Sequence, residues 1–308
     1  MIAKHKNLKE SWVSLIIPSF NGKELLFSNL PKVIKVKNNP GNKIKEIIVV
    51  DDGSTDGSGN FVKTEFPEIK TIIHKKNRGF SAAVNTGVRT ASQPIVVLLN
   101  NDVFPDPSFL EKVLPLFFKN PDLFAVSFHE KGYGWAGARF ENGYVNHFPG
   151  EESKNTHETF YVNAGGAAYR RDIWLKLGGM DEKLYTPFYW EDVDISYVAL
   201  KRGYTLYWQP KAYVSPNLSA TVSKLPKRKV LRIQERNQLL FIWKNITSPN
   251  LFRKHLAGLL ARLGKHPGYL VIVIMALSKL KAVIKGRKKE KKESKVSDEA
   301  IFAKFKNG

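Results

Sequence analysis

The sequence predicts an α/β fold in which helices flank a mostly parallel sheet. Four short apolar segments rich in β-branched residues, as buried parallel strands are, lie at 13–18, 44–50, 69–74 and 94–99. Three segments with helical periodicity lie between them, at 24–37, 57–66 and 81–91. This alternation is typical of parallel strands joined by crossover helices. Pro31 is expected to kink the first helix or to delay its start.

The composition excludes several classes of protein. The chain has 308 residues, of which 43% are hydrophobic, and this is enough to bury a substantial core. It contains no cysteine, so disulfides and thiolate metal sites are excluded. The first residues have no apolar run, so we expect no secretory signal.

The positive charge of the chain is concentrated towards one end. The net charge is +21, and residues 221–295 alone carry 20 Lys and Arg against 3 Glu. A basic stretch of this kind favours phosphate, either on nucleic acid or on anionic lipid. It matches no helix-turn-helix, RNA-recognition or zinc-finger pattern, so we expect no nucleic-acid partner.

Polar residues follow three of the predicted strands at their carboxyl ends, where parallel sheets bind ligands. Asp51 and Asp52 follow the second strand, and Asp102 follows the fourth. Short polar neighbours accompany them at Pro18, Ser19, Asn21 and Asn101. Each residue alone suits a turn or a helix cap. Together, at the ligand-binding edge of the sheet, they predict a site.

A loop or hairpin is predicted near 130–160, where glycines and aromatic residues show no clear period. Long loops beside a site often carry specificity. Four of its side chains are candidates for contact with an acceptor, and packing or surface roles suit them as well: Trp135, Arg139, Tyr144 and His147.

A second polar cluster follows that loop. Gly165 and Gly166 allow close approach of a ligand to the backbone. Glu191, Asp192 and Asp194 lie at the start of a predicted helix, directly after three aromatic residues. Acidic side chains stabilise a helix N-terminus, but an Asp beside apolar rings can also have a raised pKa and act as a base.

The absence of several known catalytic motifs argues against other chemistries. The first strand is not followed by a dinucleotide fingerprint, and the chain has no phosphate-binding Gly-Lys-Ser/Thr loop, His-Glu-x-x-His motif or Gly-x-Ser-x-Gly elbow. Oxygen ligands at strand ends remain, and these suit Mg²⁺ or Mn²⁺ bound together with substrate phosphates.

The chain resembles the glycosyltransferase family 2 enzymes in six segments that occur in the family's order and spacing. These are IIPSFNG, IIVVDDGSTDGS, NRGFSAAVNTG, VVLLNNDVFPDP, GGAAYRRDIWLKLGGMDE and WEDVDIS. The resemblance covers about residues 13–245 and is nearest to the rhamnosyltransferase-like branch. It implies a GT-A, Rossmann-like fold and a metal-dependent hexosyl or rhamnosyl transfer that inverts the anomeric centre.

The resemblance also implies roles for individual residues. Asp102 would bind the metal, and Asp192 would be the general base with Glu191 supporting it. Nucleotide-sugar contacts would come from Pro18, Ser19, Asn21, Asp51, Asp52, Arg78, Asn101, Gly165 and Gly166.

Two positions depart from the family pattern. Pro216 stands where many relatives have a His that often ligates the metal, and Val198 stands where relatives commonly have Arg. Metal affinity or donor choice is therefore open, and a nucleotide-sugar-binding pseudoenzyme is the alternative function.

The C-terminal part is expected to be helical, at 229–246, 251–263 and 269–284. We expect a GT-A domain at 1–220, a basic amphipathic region at 221–290 and a charged tail at 291–308. The helices would associate with an anionic membrane surface, with residues 286–295 as a polybasic tether. A helical appendage packed on the core, or a contact between copies of a homo-oligomer, suits the same pattern.

The expected substrates follow from this reading. Either dTDP-rhamnose or a UDP-sugar would be the donor, and a lipid-linked or growing cell-surface glycan would be the acceptor. We expect the protein at the cytoplasmic face of the cell membrane, where it would act in polysaccharide or cell-wall biosynthesis.

Overall fold

The computed structural model describes residues 12–132, 134–216 and 226–306. Its main sheet has the strand order β3-β2-β1-β4-β10-β6-β11-β5, with β9 paired to β11. Strands β7 and β8 form a separate hairpin. The strands are β1 (Val13–Ser19), β2 (Ile44–Asp51), β3 (Lys70–Ile73), β4 (Ile95–Leu99), β5 (Val103–Pro105), β6 (Leu123–Glu130), β7 (Ala136–Glu141), β8 (Tyr144–Pro149), β9 (His157–Glu158), β10 (Gly166–Arg170) and β11 (Thr205–Pro216).

Helices cover the sheet and extend beyond it at the C-terminal end. They are α1 (Lys23–Lys37), α2 (Ser58–Glu65), α3 (Phe80–Thr90), α4 (Leu114–Lys119), α5 (Arg171–Leu177), α6 (Glu191–Lys201), α7 (Lys227–Asn245), α8 (Pro249–Lys265), α9 (Leu270–Leu277), α10 (Leu280–Glu293) and α11 (Asp298–Phe305). Short 3₁₀ turns lie at Pro40–Asn42 and Pro267–Tyr269.

The sheet is mostly parallel, as the alternating pattern predicts. Strands β1, β2, β3 and β4 are mutually parallel, and β6 is parallel to β11. Strand β10 lies antiparallel between β4 and β6, and β5 lies antiparallel at the edge beside β11. Because β1 has β2 on one side and β4 on the other, the direction of winding changes beside β1. Ligands bind at such a switch point, beyond the carboxyl ends of the strands.

Alternating side chains of the strands form two hydrophobic cores, one on each face of the sheet. Ile16 of β1 and Leu98 of β4 belong to one core, and Leu15 and Leu99 belong to the other. All four are fully buried. Runs that are apolar at every position are expected for strands with both faces covered.

The structure decides between the alternatives left open for two features of the first half. Helix α1 begins at Lys23, so Pro31 lies inside it instead of delaying its start. Pro31 lies on the exposed side of the helix, where water can satisfy the carbonyl that loses its partner.

The segment near 130–160 forms a hairpin, whose turn has Asn142 and Gly143 at positive φ. Asn-Gly at such a turn is the preferred pair for a two-residue connection.

The C-terminal part packs against the core, whereas residues 291–308 were expected to form a charged tail. The expected helix at 269–284 is broken between α9 and α10, whose axes differ by 72°. The basic residues of the expected tether continue α10, and Arg287 and Lys289 donate to the carbonyls of Trp243 and Leu177. Helix α11 forms within the region expected to be a tail, because its apolar side is buried against the hairpin and the core. The buried residues of that side are Ile301, Phe302 and Phe305.

A buried ionic network fastens this C-terminal part to α6. Lys201, at the end of α6, lies 2.8 Å from Asp298 at the start of α11, and both side chains are fully buried. Asp298 also accepts hydrogen bonds from Tyr197 Oη and from the backbone N–H groups of Thr247 and Ser248, at 2.7–2.8 Å. One carboxylate therefore joins α6, the α7–α8 connection and α11.

Within the described ranges, no single helix is long and apolar enough to cross a bilayer. Among the helices that the structure describes, only the bent pair made of Pro267–Leu277 and Leu280–Glu293 reaches the required length and composition when its two parts are taken together.

We expect Lys201→Ala to lower the free energy of unfolding by about 3–5 kcal/mol, because it leaves the Asp298 carboxylate buried without its cation. Urea denaturation followed by circular dichroism measures this change. The control is Lys281→Ala, on the exposed side of α10, for which we expect a change within about 0.5 kcal/mol. A loss below about 1 kcal/mol for Lys201→Ala would show that the network is not what fastens the C-terminal helices.

Candidate functional site

The carboxyl ends of β1 and β4 meet at the switch point, and their polar residues are in contact. Asn101 Nδ2 donates to Ser19 Oγ at 2.9 Å. The contact depends on Gly22, since a Cβ there would lie 2.2 Å from Asn101 Nδ2 and 2.7 Å from Ser19 Oγ. Buried Asn29 of α1 holds the turn after β4 by donating to the carbonyls of Asn101 and Val103.

Asn21 and Asp51 organise the loops after β1 and β2. Asp51 accepts hydrogen bonds from the backbone N–H and the hydroxyl of Ser54. Asn21, with φ of 49°, accepts from the Thr55 N–H at 2.9 Å, and its own N–H donates to Ser54 Oγ at 2.8 Å. Pro18 precedes this pair of loops on β1, opposite Val50. The predicted residues of the first two strand ends therefore lie together.

Asp52 holds the loop after β3. Its carboxylate accepts from the backbone N–H groups of Arg78 and Gly79 at 2.7–3.0 Å. His74 Nδ1 lies 2.7 Å from the same carboxylate. Both oxygens of Asp52 thus have protein donors, and they fix the backbone from which the Arg78 side chain extends. The Arg78 guanidinium is partly exposed and lies 2.9 Å from Glu182.

A cavity of about 570 Å³, which we call the larger cavity, lies beyond the ends of β4, β6 and β10. It is lined by Asn100, Asp102, Ser127, Glu130 and Gly165, among others. Gly165 is required for the close approach of two chain segments, because a Cβ there would lie 2.9 Å from Asn100 Nδ2. The Asn100 N–H donates to the Gly165 carbonyl at 2.9 Å, which joins the Asn-Asn-Asp turn to the predicted glycine pair. Gly166 also lines this cavity.

Two carboxyl groups in the larger cavity have raised pKa values. Burial raises the pKa of Asp102. Burial, and then the charge of Asp102, raise the pKa of Glu130. In the described part of the chain, neither side chain makes an ion pair. They are therefore placed to gain free energy from a bound cation.

A second cavity of about 470 Å³, the smaller cavity, lies beside the N-terminus of α6. Asp192 lines it together with Tyr189, Trp190 and three residues of α7. Tyr189 and Trp190 have φ of 72° and 75°, a conformation that costs free energy for bulky residues and that is often retained at functional sites. The two cavities are adjacent, since both are lined by His147, Tyr161 and Asn163.

The acidic pair at the start of α6 is poised to hold a proton near neutral pH. Burial raises the pKa of Asp192 to about 6, although backbone N–H groups oppose the shift. Burial and the charge of Asp192 raise the pKa of Glu191 well above its usual range. The Glu191 Oε2 atom is buried and has no hydrogen-bond partner among the described residues.

Asp194, the third acid of the same motif, has a structural role. It lies 2.5 Å from Lys244 Nζ and accepts hydrogen bonds from Tyr185 Oη and Asn245 Nδ2 at 2.8 and 2.6 Å. These contacts attach α6 to α7. The motif therefore contains one satisfied carboxylate that holds the helix, the buried Glu191, and Asp192, which lines the smaller cavity.

The four aromatic and polar candidates of the hairpin region have different environments. Trp135 and His147 line the larger cavity, where Trp135 stacks on His157 with ring centroids 4.0 Å apart. Arg139 donates to the Lys306 carbonyl, and Tyr144 is buried with the Arg262 guanidinium over its ring. Two of the four are thus available to a ligand and two pack.

The residues of the larger cavity suit a hard divalent cation. No cluster of three or more His, Cys, Asp or Glu that could hold a metal is present within the described ranges. However, Mg²⁺ and Mn²⁺ commonly use one or two carboxylates together with substrate phosphates, and Asp102 and Glu130 provide such oxygen ligands. The backbone of Pro216 pairs with Val103, next to Asp102. The position at which many relatives have His therefore lies beside the proposed metal ligand. Residues 217–219 of that segment lie outside the described residues.

Several residues that line the cavities carry no signal in the sequence. Glu130 and Ser127 look like ordinary residues of a buried strand, and Gln234, Glu235 and Gln238 like the polar side of an amphipathic helix. Only the packing of β6 and α7 brings them to the site. The spacing of the three α7 residues, which places them on one helix face, could have indicated a shared surface.

Comparison with known proteins agrees with this architecture. A 152-residue match to the glucosyl-dolichyl phosphate glucuronosyltransferase of Haloferax volcanii is 24% identical and covers 44% of this chain and 46% of that protein. The chain thus spans less than half the length of this relative.

Two solved structures share the fold. The mannosyltransferase PcManGT from Pyrobaculum calidifontis, in complex with GDP-Man and Mn²⁺, has a TM-score of 0.54 and 18% identity, over 91% of this chain and 84% of that one. S. aureus TarS 1-349, in complex with UDP-GlcNAc, has a TM-score of 0.56 and 16% identity, over 82% and 73%. The chain therefore has a GT-A-like α/β fold.

The family profile described as glycosyl transferase family 2 matches residues 14–178, more than half of the chain. This range contains the strand ends at Ser19, Asp52 and Asp102, together with the glycine pair. The chain belongs to glycosyl transferase family 2.

Proposed function

We propose that this protein is a metal-dependent, inverting glycosyltransferase that moves a sugar from a nucleotide-diphosphate donor to an acceptor hydroxyl. One observation carries the proposal: two adjacent cavities, one with Asp102 and the other with Asp192, share a wall made of His147, Tyr161 and Asn163. A single displacement needs the leaving group on one side of the anomeric carbon and the base on the other, and this arrangement supplies both.

The donor would bind at the switch point and in the larger cavity. We assign Ser19, Asn21, Asp51 and Asp52 to the nucleoside, with Pro18 and Asn101 shaping the crevice. Asp52 acts in part by holding the backbone of Arg78, whose guanidinium would exchange Glu182 for the base or diphosphate. Gly165 and Gly166 leave room for the donor sugar because no side chain fills that part of the cavity.

Asp102 would hold Mg²⁺ or Mn²⁺ against the diphosphate. A bound cation of this kind stabilises the negative charge that develops on the leaving nucleoside diphosphate. The Asp102 carboxylate has no competing cation of the protein within the described residues, and its burial gives the ion a site of low dielectric.

Asp192 would remove the proton from the acceptor hydroxyl. A carboxylate with a pKa of about 6 is a stronger base than an ordinary Asp and is still mostly deprotonated at pH 7. Glu191, which holds its own proton more tightly, avoids a second negative charge beside the base. The aromatic wall of Tyr161, Tyr189 and Trp190 suits the apolar faces of a sugar ring.

The donor and the acceptor are proposed from the resemblance and the relatives. We propose dTDP-rhamnose first and a UDP-sugar next as donor. The acceptor is proposed to be a lipid-linked or growing cell-surface glycan, and the Haloferax relative is itself named for a glucosyl-dolichyl phosphate. A role in polysaccharide or cell-wall biosynthesis follows from that acceptor.

We further propose that the C-terminal helices lie on an anionic membrane, at its cytoplasmic face. An apolar ridge is exposed on α9 and α10, with 40–58% of each side chain accessible: Leu270, Val271, Ile274, Leu277, Leu280 and Ile284. Exposed Lys281, Lys285 and Lys288 follow on α10. Apolar insertion combined with basic side chains is the pattern of an interfacial helix.

The membrane-facing ridge is close to the acceptor side of the site. Helix α9 packs on α7, which supplies Gln234, Glu235 and Gln238 to the smaller cavity. Arg262 of α8 pairs with Glu235 at 2.5 Å, which ties α8 to the same wall. An acceptor carried by a lipid could thus enter the smaller cavity from the membrane surface.

The first experiment is a thermal-shift and calorimetric screen of nucleotide sugars with Mn²⁺, Mg²⁺ and EDTA. Stabilisation by one donor only when a metal is present would support the site and identify the donor class. A donor that binds with metal but is never transferred or hydrolysed would support the pseudoenzyme alternative, which the residues at 198 and 216 suggest. No response to any nucleotide sugar would contradict the proposal.

We expect Asp192→Asn to reduce transfer by roughly 10²–10⁴-fold while donor affinity stays within about twofold, because the base acts only on the acceptor. Radiolabelled sugar transfer and donor calorimetry measure the two effects. The matched control is Asp172→Asn, an acid in the first turn of α5 that lines neither cavity. Transfer at the parent rate by Asp192→Asn would show that another group is the base.

The pH dependence follows from the raised pKa of Asp192. The parent kcat/KM should fall as the pH drops below about 6, because the base becomes protonated.

The same shift makes stability depend on pH. The folded-state pKa of Asp192 lies above the ordinary value of 3.8, so the stability that its protonated form contributes is lost as the pH rises through about 6. Asp192→Asn should therefore raise the melting temperature at pH 7.5 by about 2–5 °C and not at pH 4.

Loss of apolar side chains from the ridge should weaken membrane binding. We expect Ile274→Ser with Leu277→Ser to reduce binding to phosphatidylglycerol-containing liposomes by roughly tenfold or more, measured by cosedimentation. Leu175→Ser, on an exposed Leu of α5, is the matched control and should leave binding unchanged. Equal binding by all three proteins would place the membrane contact elsewhere or remove it.

A further inference from the structure

We propose that Glu130 is a second carboxylate ligand of the divalent cation, opposite Asp102 in the larger cavity. This inference rests on the proposed function and deepens it. It gives the chain a replacement for the ligand that is missing at position 216, drawn from a different strand.

The sheet brings the two carboxylates to one edge. Glu130 is the last residue of β6 and pairs with Val214 of β11, while Val214 pairs on its other side with Pro105 of β5. Asp102 directly precedes β5. Both side chains line the same cavity, and the charge of Asp102 contributes to the raised pKa of Glu130.

Neither carboxylate is neutralised by the described protein. Within the described ranges, Glu130 makes no side-chain hydrogen bond and no ion pair, and it shares the cavity with a carboxylate of the same sign. Most buried or half-buried acids of this chain do have a donor, as Asp51, Asp52 and Asp194 show. Two like charges without a cation cost free energy that a divalent ion would offset.

Ser127 adds a neutral oxygen to the wall of this cavity. Its side chain lines the cavity, and the residue is only 8% exposed. The hydroxyl has no hydrogen-bond partner in the described part of the chain, and its oxygen remains accessible from the cavity. It is therefore available to a ligand beside the two carboxylates.

The donor set suits the proposed cation. Mg²⁺ and Mn²⁺ prefer oxygen ligands, keep several waters and bind through one or two carboxylates together with substrate phosphates. Asp102 with Glu130 supplies two negative charges, which match the charge of the ion. A third protein ligand such as His is then not required.

The test is Mn²⁺ binding to the full-length protein without nucleotide, measured by electron paramagnetic resonance of the free ion. We expect Glu130→Gln to weaken Mn²⁺ binding by about tenfold or more, since even partners outside the ligand shell change affinity by 10–100-fold. Glu130→Asp, which keeps the carboxylate, should recover part of that loss. Glu68→Gln, the same change at an exposed position outside both cavities, should bind Mn²⁺ as the parent does.

Thermal unfolding separates a ligand from a structural residue. If Glu130 is a ligand, Glu130→Gln should be at least as stable as the parent in EDTA, because a like-charge repulsion is removed, and Mn²⁺ should raise its melting temperature less. If Glu130 only supports the fold, the variant would be less stable in EDTA, and this would overturn the inference.

The outcomes also distinguish this inference from the proposed function. Mn²⁺ binding that Asp102→Asn abolishes and Glu130→Gln leaves unchanged would refute the role of Glu130 alone. A parent protein that binds Mn²⁺ neither alone nor with a nucleotide diphosphate would refute both.

Discussion

The site depends on carboxyl groups that are held partly or wholly out of water and that, in the described part of the chain, have no basic side chain beside them. Asp102 with Glu130 in the larger cavity is one such pair, and Asp192 of the smaller cavity with its buried neighbour Glu191 is the other. In each pair, burial and mutual repulsion raise at least one pKa, and the free energy of that strain is available to a ligand that relieves it. In the proposed reaction, a divalent cation would relieve the first pair, and a proton taken from the acceptor would relieve the second. The same physical device would thus serve metal binding on one side and base catalysis on the other.

The remaining acids of the site are fully satisfied, and they hold the strained pairs in place. Asp52 fixes the loop that carries Arg78, while Asp194 attaches α6 to Lys244 of α7. Asp298 extends this framework by gathering α6, the start of α8 and α11 around Lys201. A helix that presents the proposed base must resist moving towards solvent, since exposure would return the pKa of Asp192 to its ordinary value. The C-terminal helices would therefore contribute to the proposed chemistry through the rigidity of α6, and α7 also places Glu235 in the wall of the smaller cavity.

Much of the sheet and half of the site could be predicted from the sequence, for reasons that particular residues show. The segments 15–18, 47–50 and 95–99 are apolar at every position, so they specify buried strands and place Asp52 and Asp102 at one edge. The hairpin also had a local signal, the Asn142-Gly143 pair at its turn. Glu130 and Gln238 had none, because their place in a cavity depends on which strand or helix lies beside them. The region of helix α11 was expected to be a charged tail because charged residues surround Ile301, Phe302 and Phe305. The spacing of these three residues becomes informative only when the hairpin surface that covers them is known.

Helix α7 connects the two roles proposed for the C-terminal half. Its polar side chains Gln234 and Gln238 line the smaller cavity, and α9 and α10 also pack against this helix. A ridge that inserts into lipid next to this helix would orient the smaller cavity towards the membrane surface, and the acceptor hydroxyl would reach Asp192 without leaving the interface. The donor, which is soluble, would enter from the switch point between β1 and β4 on the other side of the shared wall. Separate routes for a lipid-borne and a soluble substrate would account for the division of the site into two cavities and for the concentration of basic charge beyond residue 220.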